Sequence, residues 1–286
     1  MNFENIVKNI KSLPPLSDAI VNIQNLLNST EDNVDIKELV YLIESDALLA
    51  ANILKITNSP LYGFSRTISS VTQSVTLLGL SQVNSFIINY AVEEHIKAKT
   101  EVYRLSNEKF NDMCYLQSSI ARQWYSKINK QDADFLSSLA LIMESGKLIL
   151  AQEITNSSYE KAFQIGLVKC KNIEQYEFDL IGTTSYHLTA LLFEHWKLDP
   201  LYSKILDALD SKDDIDDDIK IYVEIINAIR TAINVKEFLS KQSVLNACKI
   251  LRRAGLSEEP FIREAIKIKK SYVNRLKERQ NKKLDG

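Results

Sequence analysis

The chain has 286 residues, 45% of them hydrophobic and 25% charged, with a formal net charge of −2. That is ordinary globular composition, in a chain long enough to bury about three quarters of its unfolded surface. Near-neutral charge gives no general attraction to nucleic acid, and 7 Gly and 5 Pro disfavour a loop-rich all-β fold.

Cys114, Cys170 and Cys248 are far apart and form neither a disulfide framework nor a CxxC motif, which suits a reducing compartment. The opening MNFENIVKNI has no charged-then-apolar signal pattern, and no apolar run approaches the ~20 residues that span a bilayer. The expectation is a soluble cytoplasmic protein. Richness in Asn, Ile and Lys suggests an AT-rich bacterial genome.

In chain order the sequence is a succession of helical patterns. Residues 3–12 carry Ile6, Val7 and Ile10 on one side, and the helix ends by Leu13 because the residue before Pro14 is pushed out of the helical region. Ser17 or Asp18 caps the next, striped by Ile20, Ile23, Gln24 and Leu27. Asp35 and Glu38 have capping-box-like spacing ahead of Leu39, Val40 and Ile43. Asp46 opens a helix in which Leu49, Ile53 and Ile56 recur. Asn58-Ser59-Pro60 stops it, since Asn tolerates a left-handed cap and Pro cannot continue a helix. Ser69 or Ser70 caps a helix with Val71, Val75 and Leu78 on one face and Gly79 as its stop.

Ser81 caps the following helix, through Val83, Phe86, Ile87, Tyr90 and Ala91; polar residues around 93–106 mark a change of direction. A longer helix spans about Ser106 to Ser126. Another runs from about Asp132 to Glu144, is interrupted at Gly146 and resumes at Lys147. Helices near 158–169 and from about Glu174 to Trp196 follow. The acidic run at 210–219 is the best candidate boundary, a solvated loop with an acidic helix start. Ile221, Ile225, Ile229 and Ile233 predict a helix to about Leu239, with two more over 241–254 and 257–280. The last sets Lys267, Lys269, Lys270, Arg275, Lys277 and Arg279 around a stripe of Ile262, Ile266, Val273 and Leu276. It reads as a terminal helix docked on its own domain with solvated cations, of a kind that can also meet a membrane, nucleic acid or an acidic partner.

The ordered set Leu13-Pro14, Asp46, Asn58-Ser59, Tyr62-Gly63 and Leu78-Gly79, with Trp196-Lys197-Leu198 further on, resembles the HDOD family, the HD-related output domains of bacterial signalling proteins. The likeness covers roughly residues 5 to 210. Ala47 and Thr57 stand where the family often has Pro and Ala, and Asp199 is inserted before Pro200. The resemblance implies an all-α multi-helix bundle. An N-terminal helical subdomain, 1–95, would pack on a degenerate HD-like bundle, 96–210, followed by a C-terminal helical extension, 211–286.

HD-type phosphohydrolases hold metal with a His, an adjacent His-Asp pair and a later Asp, and the metal activates water and clamps phosphate. By the resemblance, Met143 and Glu144 replace the His-Asp pair in LIMESGK at 141–147, Met113 stands near the earlier His, and Ser185 replaces a later His. A paired His expected near Leu209-Asp210 is missing as well. A thioether is a poor ligand for Mn²⁺ or Mg²⁺, and one Glu cannot organise a site. His187 and His195 are eight apart, ~12 Å along a helix, too far to grip one metal. No P-loop, GxGxxG or GxSxG is present, Cys114 has no evident base, and Glu93-Glu94 and Glu258-Glu259 are neighbours rather than facing dyads.

The degenerate pocket therefore gathers Met143, Glu144, Lys147 and Ser185 as candidate ligand-binding positions, with no catalytic residue, metal or other cofactor. Leu13, Pro14, Asp46, Asn58, Ser59, Tyr62, Gly63, Leu78, Gly79 and Trp196 are structural. The resemblance implies a non-catalytic regulator in bacterial signalling, of motility, chemotaxis or stress output, working through a protein partner or as a homodimer. The alternatives are a metal-dependent phosphohydrolase acting on a nucleotide through a rearranged site, and a sensor whose Lys147 or interdomain cleft binds a phosphate-bearing nucleotide.

Overall fold

Short capped helices follow one another from end to end. The structure, a computed structural model, describes residues 3–27, 34–59, 62, 64, 66–211 and 214–284, with side chains as far as Lys277. Pro60, Gly63 and the Arg279 side chain lie outside the described residues. Among the described residues the only β feature is an isolated bridge between Ile233 and Phe238.

The first group is α1 (Phe3–Lys11), α2 (Asp18–Leu27), α3 (Ile36–Glu44), α4 (Ala47–Thr57), α5 (Val71–Leu78) and α6 (Leu80–His95). Local cap chemistry sets most starts. Asp35 accepts from the Lys37 and Glu38 amides, Asp46 from those of Leu48 and Leu49, and Ser70 from Gln73. Each cap stabilises its helix by about 1 kcal/mol. Gly79, at φ +82°, both ends α5 and begins α6, so the next helix needs no Ser81 cap; the two axes turn through 119° there. No single helix among those described is long and apolar enough to cross a membrane.

After a 3-10 turn, Thr100–Tyr103, come α7 (Asn107–Tyr125), α8 (Lys130–Ile142), α9 (Ser145–Thr155), α10 (Glu160–Lys169), α11 (Ile173–Ile181), α12 (Ser185–His195) and α13 (Pro200–Ala208). Three breaks differ from the sequence reading. The α8–α9 joint falls at Met143-Glu144, not at Gly146, which sits inside the first turn of α9. The helix expected from Glu174 to Trp196 is two helices, parted where Gly182 takes φ +81° and Thr184 caps α12. The Asp199-Pro200 insertion starts α13, with Asp199 accepting from the Leu201 amide and Pro200 in the first turn, where its missing N–H costs nothing.

The last group is α14 (Asp217–Ala232), α15 (Lys241–Arg253) and α16 (Glu258–Leu284). α14 stops at Ala232 rather than near Leu239, because Ile233 turns extended and bridges to Phe238. On α16 the core takes Phe261, Ala265, Ile268 and Tyr272, while Ile266 and Val273 are exposed, so the expected stripe is rotated. Arg275, expected in solvent, is buried.

One continuous apolar core runs through all three groups. α6 packs on α8, α1 on α12, α14 and α16 on α7. The Leu13-Pro14 link is fastened to the far end of α12: His195 Nε2 lies 3.0 Å from the Leu13 carbonyl and Trp196 Nε1 donates to that of Pro14 at 3.3 Å. His95 meets the Trp196 ring edge-on at 5.5 Å.

Candidate functional site

Asn58 shows how the family-like residues of the first group are used. It ends α4 at φ −78°, not in the left-handed region. Its side-chain amide donates to the carbonyls of Leu54 and Ile68, both at 2.8 Å, and accepts from the Ile68 amide at 2.7 Å. One side chain thus closes the base of the loop between α4 and α5. Asn58→Ala removes these bonds and is expected to lower urea-unfolding stability by about 2 kcal/mol. Tyr62 packs edge-on against Phe86 at 5.7 Å, and Arg122 of α7 donates to the Leu78 carbonyl at 2.7 Å, fixing the Leu78-Gly79 corner.

The predicted pocket residues Glu144, Lys147 and Ser185 meet in the middle of the second group. The α8–α9 joint carries Glu144 and the first turn of α9 carries Lys147. Ser185 begins α12, whose approach to α9 is at backbone contact. A Cβ on Gly146 would lie 1.9 Å from the Ser185 carbonyl oxygen. The Gly146 amide donates to Thr189 Oγ1 at 2.8 Å, and that hydroxyl is 2.9 Å from the carbonyls of both Met143 and Ser185.

Lys147 is 1% exposed. Its Nζ donates to Ser185 Oγ at 2.7 Å and to Glu177 Oε1 at 3.2 Å, and lies 3.4 Å from Glu144 Oε2. The rings of Tyr186 and Tyr103 stand 5.0 and 5.7 Å from it. Tyr103 donates its hydroxyl to Glu177 Oε1 at 2.8 Å, and the Ser185 amide donates to Oε2 at 3.0 Å. Glu144 Oε1 accepts from Tyr186 Oη at 3.0 Å and Gln117 Nε2 at 2.8 Å, while Gln117 also donates to the Ile233 carbonyl. Burial pulls the Lys147 ammonium down from its ordinary value, but the Glu177, Glu144 and Glu174 charges outweigh it and leave the value raised. Burial, then the Glu177 charge, pushes Tyr103 well up; burial, then Glu144, does the same to Tyr186. Both phenols are therefore neutral donors at ordinary pH.

Over the outer face of Tyr186 lies the Arg230 guanidinium of α14, 4.7 Å from the ring centroid. Arg230 donates to Asp210 Oδ1 at 2.8 Å, to the Leu209 carbonyl and to Asn227. A second cation, already engaged by Asp210, Leu209 and Asn227, thus packs on the ring that faces Lys147.

A divalent metal does not fit these residues. Glu144 and Glu177 are the carboxylates of this centre among the described residues, and an ammonium already lies within 3.4 Å of both. Met143 is buried, and so is Met113, one turn before Gln117 on α7. Among the described residues no group of three His, Cys, Asp or Glu converges. His187 pairs instead with Asp207 at 2.8 Å, and that hydrogen bond raises its pKa, while His195 goes to Leu13. Cys114 is buried in α7, where burial first and the Glu144 charge second push the thiol well up, opposite to what a nucleophile needs. Nor is Lys147 an open anchor for phosphate, since its donors are spent inside the core.

Sequence reasoning did not assign Tyr103, Gln117, Glu177, Tyr186 or Arg230 to this centre. A second charged centre was missed as well. Arg275 of α16 donates to Asp112 at 2.5 Å and to Ser59 Oγ at 3.4 Å, both partners remote in sequence.

The model of the HDOD domain matches residues 13–210. No curated protein matches the chain. Among solved structures, an HDOD domain protein of unknown function from Geobacter sulfurreducens is similar at 19% identity and a TM-score of 0.66, covering 94% of each chain. A protein of Marinobacter aquaeolei named provisionally for signal transduction matches at 17% identity and 0.71, covering 93% of this chain and 62% of that one. One of Shewanella amazonensis named provisionally as a phosphohydrolase matches at 15% and 0.66, covering 92% and 93%. With the Leu13-Pro14 clasp, the Asn58 loop base and the Leu78-Gly79 corner within the matched span, the chain belongs to the HDOD family.

Proposed function

We propose that the chain is a non-catalytic regulatory module of bacterial cytoplasmic signalling, which passes on a bound state through a protein partner. One observation carries this reading: the Lys147 ammonium lies between Glu144 and Glu177, inside a shell of tyrosine hydroxyls, where a phosphohydrolase of the HD type would need metal and substrate access. Names among the similar structures point both to signalling and to phosphohydrolysis, and the residues favour the first. A buried ammonium offers no open coordination position and generates no hydroxide.

The test is metal content of untagged protein, grown with added Mn²⁺ and Fe²⁺, together with hydrolysis of bis-p-nitrophenyl phosphate. The expected result is metal far below one equivalent and no turnover above buffer. Stoichiometric metal with turnover abolished in Glu144→Gln would overturn the proposal in favour of a rearranged phosphohydrolase.

A further inference from the structure

A separate cavity of 480 Å³ opens between α4, α6 and α7 and is edged by α16. That volume suits a small molecule. Its charges are the carboxylates of Glu93, Glu108 and Asp112 against Lys55 and Arg275. Asp112 and Arg275 pair with each other, so neither sets the preference for a ligand. Lys55 is exposed at the rim.

Deeper in, Glu93 is half-buried and accepts from Asn89 Nδ2 at 3.1 Å. Burial, the largest influence on it, holds its carboxyl above the ordinary range despite bonds from Asn89 and Asn111 and the charge of Lys55. Such a carboxylate is short of solvation and gains from an incoming cation. Tyr115 lies within its field: burial, then the Glu93 charge, pushes that phenol well up. A carboxylate beside an aromatic ring is recognition chemistry for an organic ammonium or guanidinium. Asn52 adds a wall acceptor, its Oδ1 buried and without a hydrogen-bond partner among the described residues. A poorly solvated Glu93 carboxyl disfavours phosphate, the ligand chemistry anticipated from sequence for an interdomain cleft.

We propose that this cleft binds a small organic cation of the amine or guanidine class, held by Glu93, the Tyr115 ring and the Asn52 and Asn111 amides. The occupant would bridge the first and second groups of helices, with Arg275 of α16 at the cavity edge. The inference rests on the reading of the chain as a regulatory module and supplies its input.

Isothermal titration of the full chain with agmatine, and separately with spermidine, tests it. Saturable one-to-one binding of at least one is expected. Glu93→Gln should weaken it about tenfold, the loss of a charged hydrogen bond. Lys55→Gln should strengthen it about threefold by removing a competing ammonium. The opposite signs separate the cleft from loose attraction to the acidic 210–219 run, which neither substitution touches. No saturable heat at millimolar agmatine or spermidine, or an affinity indifferent to both substitutions in variants that melt like wild type, would overturn the proposal. That failure leaves the non-catalytic reading standing on its metal test, whereas failure of the metal test would leave binding in the cleft but remove its role as the input of a regulator.

Discussion

Lys147→Met is expected to lower the stability of the protein by about 3–5 kcal/mol, because it leaves Glu144 and Glu177 facing each other in the core without their cation. Methionine matches the length of the lysine stem, so the loss reports charge rather than volume. Glu177→Gln added to Lys147→Met should recover part of it, and the double-mutant cycle gives the coupling. Urea unfolding followed by tryptophan fluorescence measures all three variants; a Lys147→Met protein as stable as wild type would refute the account of the centre.

The alkaline limb provides a second readout. Lys147 has a raised value in the folded state, so its contribution is whole below the ordinary 10.5 and is lost as pH rises toward the higher folded value. The raised phenols of Tyr103 and Tyr186 act in the same direction from the ordinary 10.0 upward. Wild-type stability should therefore fall steeply above pH 10.5, and Lys147→Met should remove about one proton, or about 1.4 kcal/mol per pH unit, from that slope.

Gly146→Ala should be nearly as damaging although it adds a single methyl group. The new carbon would stand 1.9 Å from the Ser185 carbonyl oxygen and 2.8 Å from its carbon. These are backbone atoms at the start of a helix and cannot rotate aside. α9 and α12 must separate, which also stretches the bond from Lys147 to Ser185 Oγ. A cost of about 3 kcal/mol or more is expected, at the upper end for overpacking, with a matching fall in melting temperature. Gly182→Ala, at φ +81°, meets no neighbour among the described residues within 4 Å and so carries left-handed strain without overpacking, the opposite case to Gly146→Ala.

What the sequence disclosed follows the range of the forces involved. Helix starts at Asp35, Asp46, Ser70 and Ser106 were legible because a cap is a contact over two or three residues. The Met143-Glu144 joint was not, because no breaker stands there and the crossing of α9 over α12 sets the bend. Gly146 drew attention as a glycine, yet its reason is contact with a helix start some forty residues away in sequence. The Asp199-Pro200 signature was present and was read as an insertion rather than as the start of α13. Of the site, Glu144, Lys147 and Ser185 were named together and do meet, carried by the family spacing. Tyr103, Gln117 and Tyr186 bear no motif; only tertiary packing brings them to the carboxylates. The rotation of α16 follows from two competing apolar stripes on one helix, and Arg275 was misplaced because its counter-ion lies on α7.

The family match ends at residue 210, but the core does not. Phe261 of α16 closes edge-on over Trp124 at 5.0 Å, the Ile233 carbonyl accepts a hydrogen bond from Gln117, and Arg275 pairs with Asp112. A fragment cut at residue 210 would uncover the Trp124 indole, lose the Arg275 partner of Asp112 and loosen the polar centre. The span matched by the family model and the continuous apolar core therefore differ in length. A fragment ending at residue 210 is therefore expected to unfold at lower urea than the full chain.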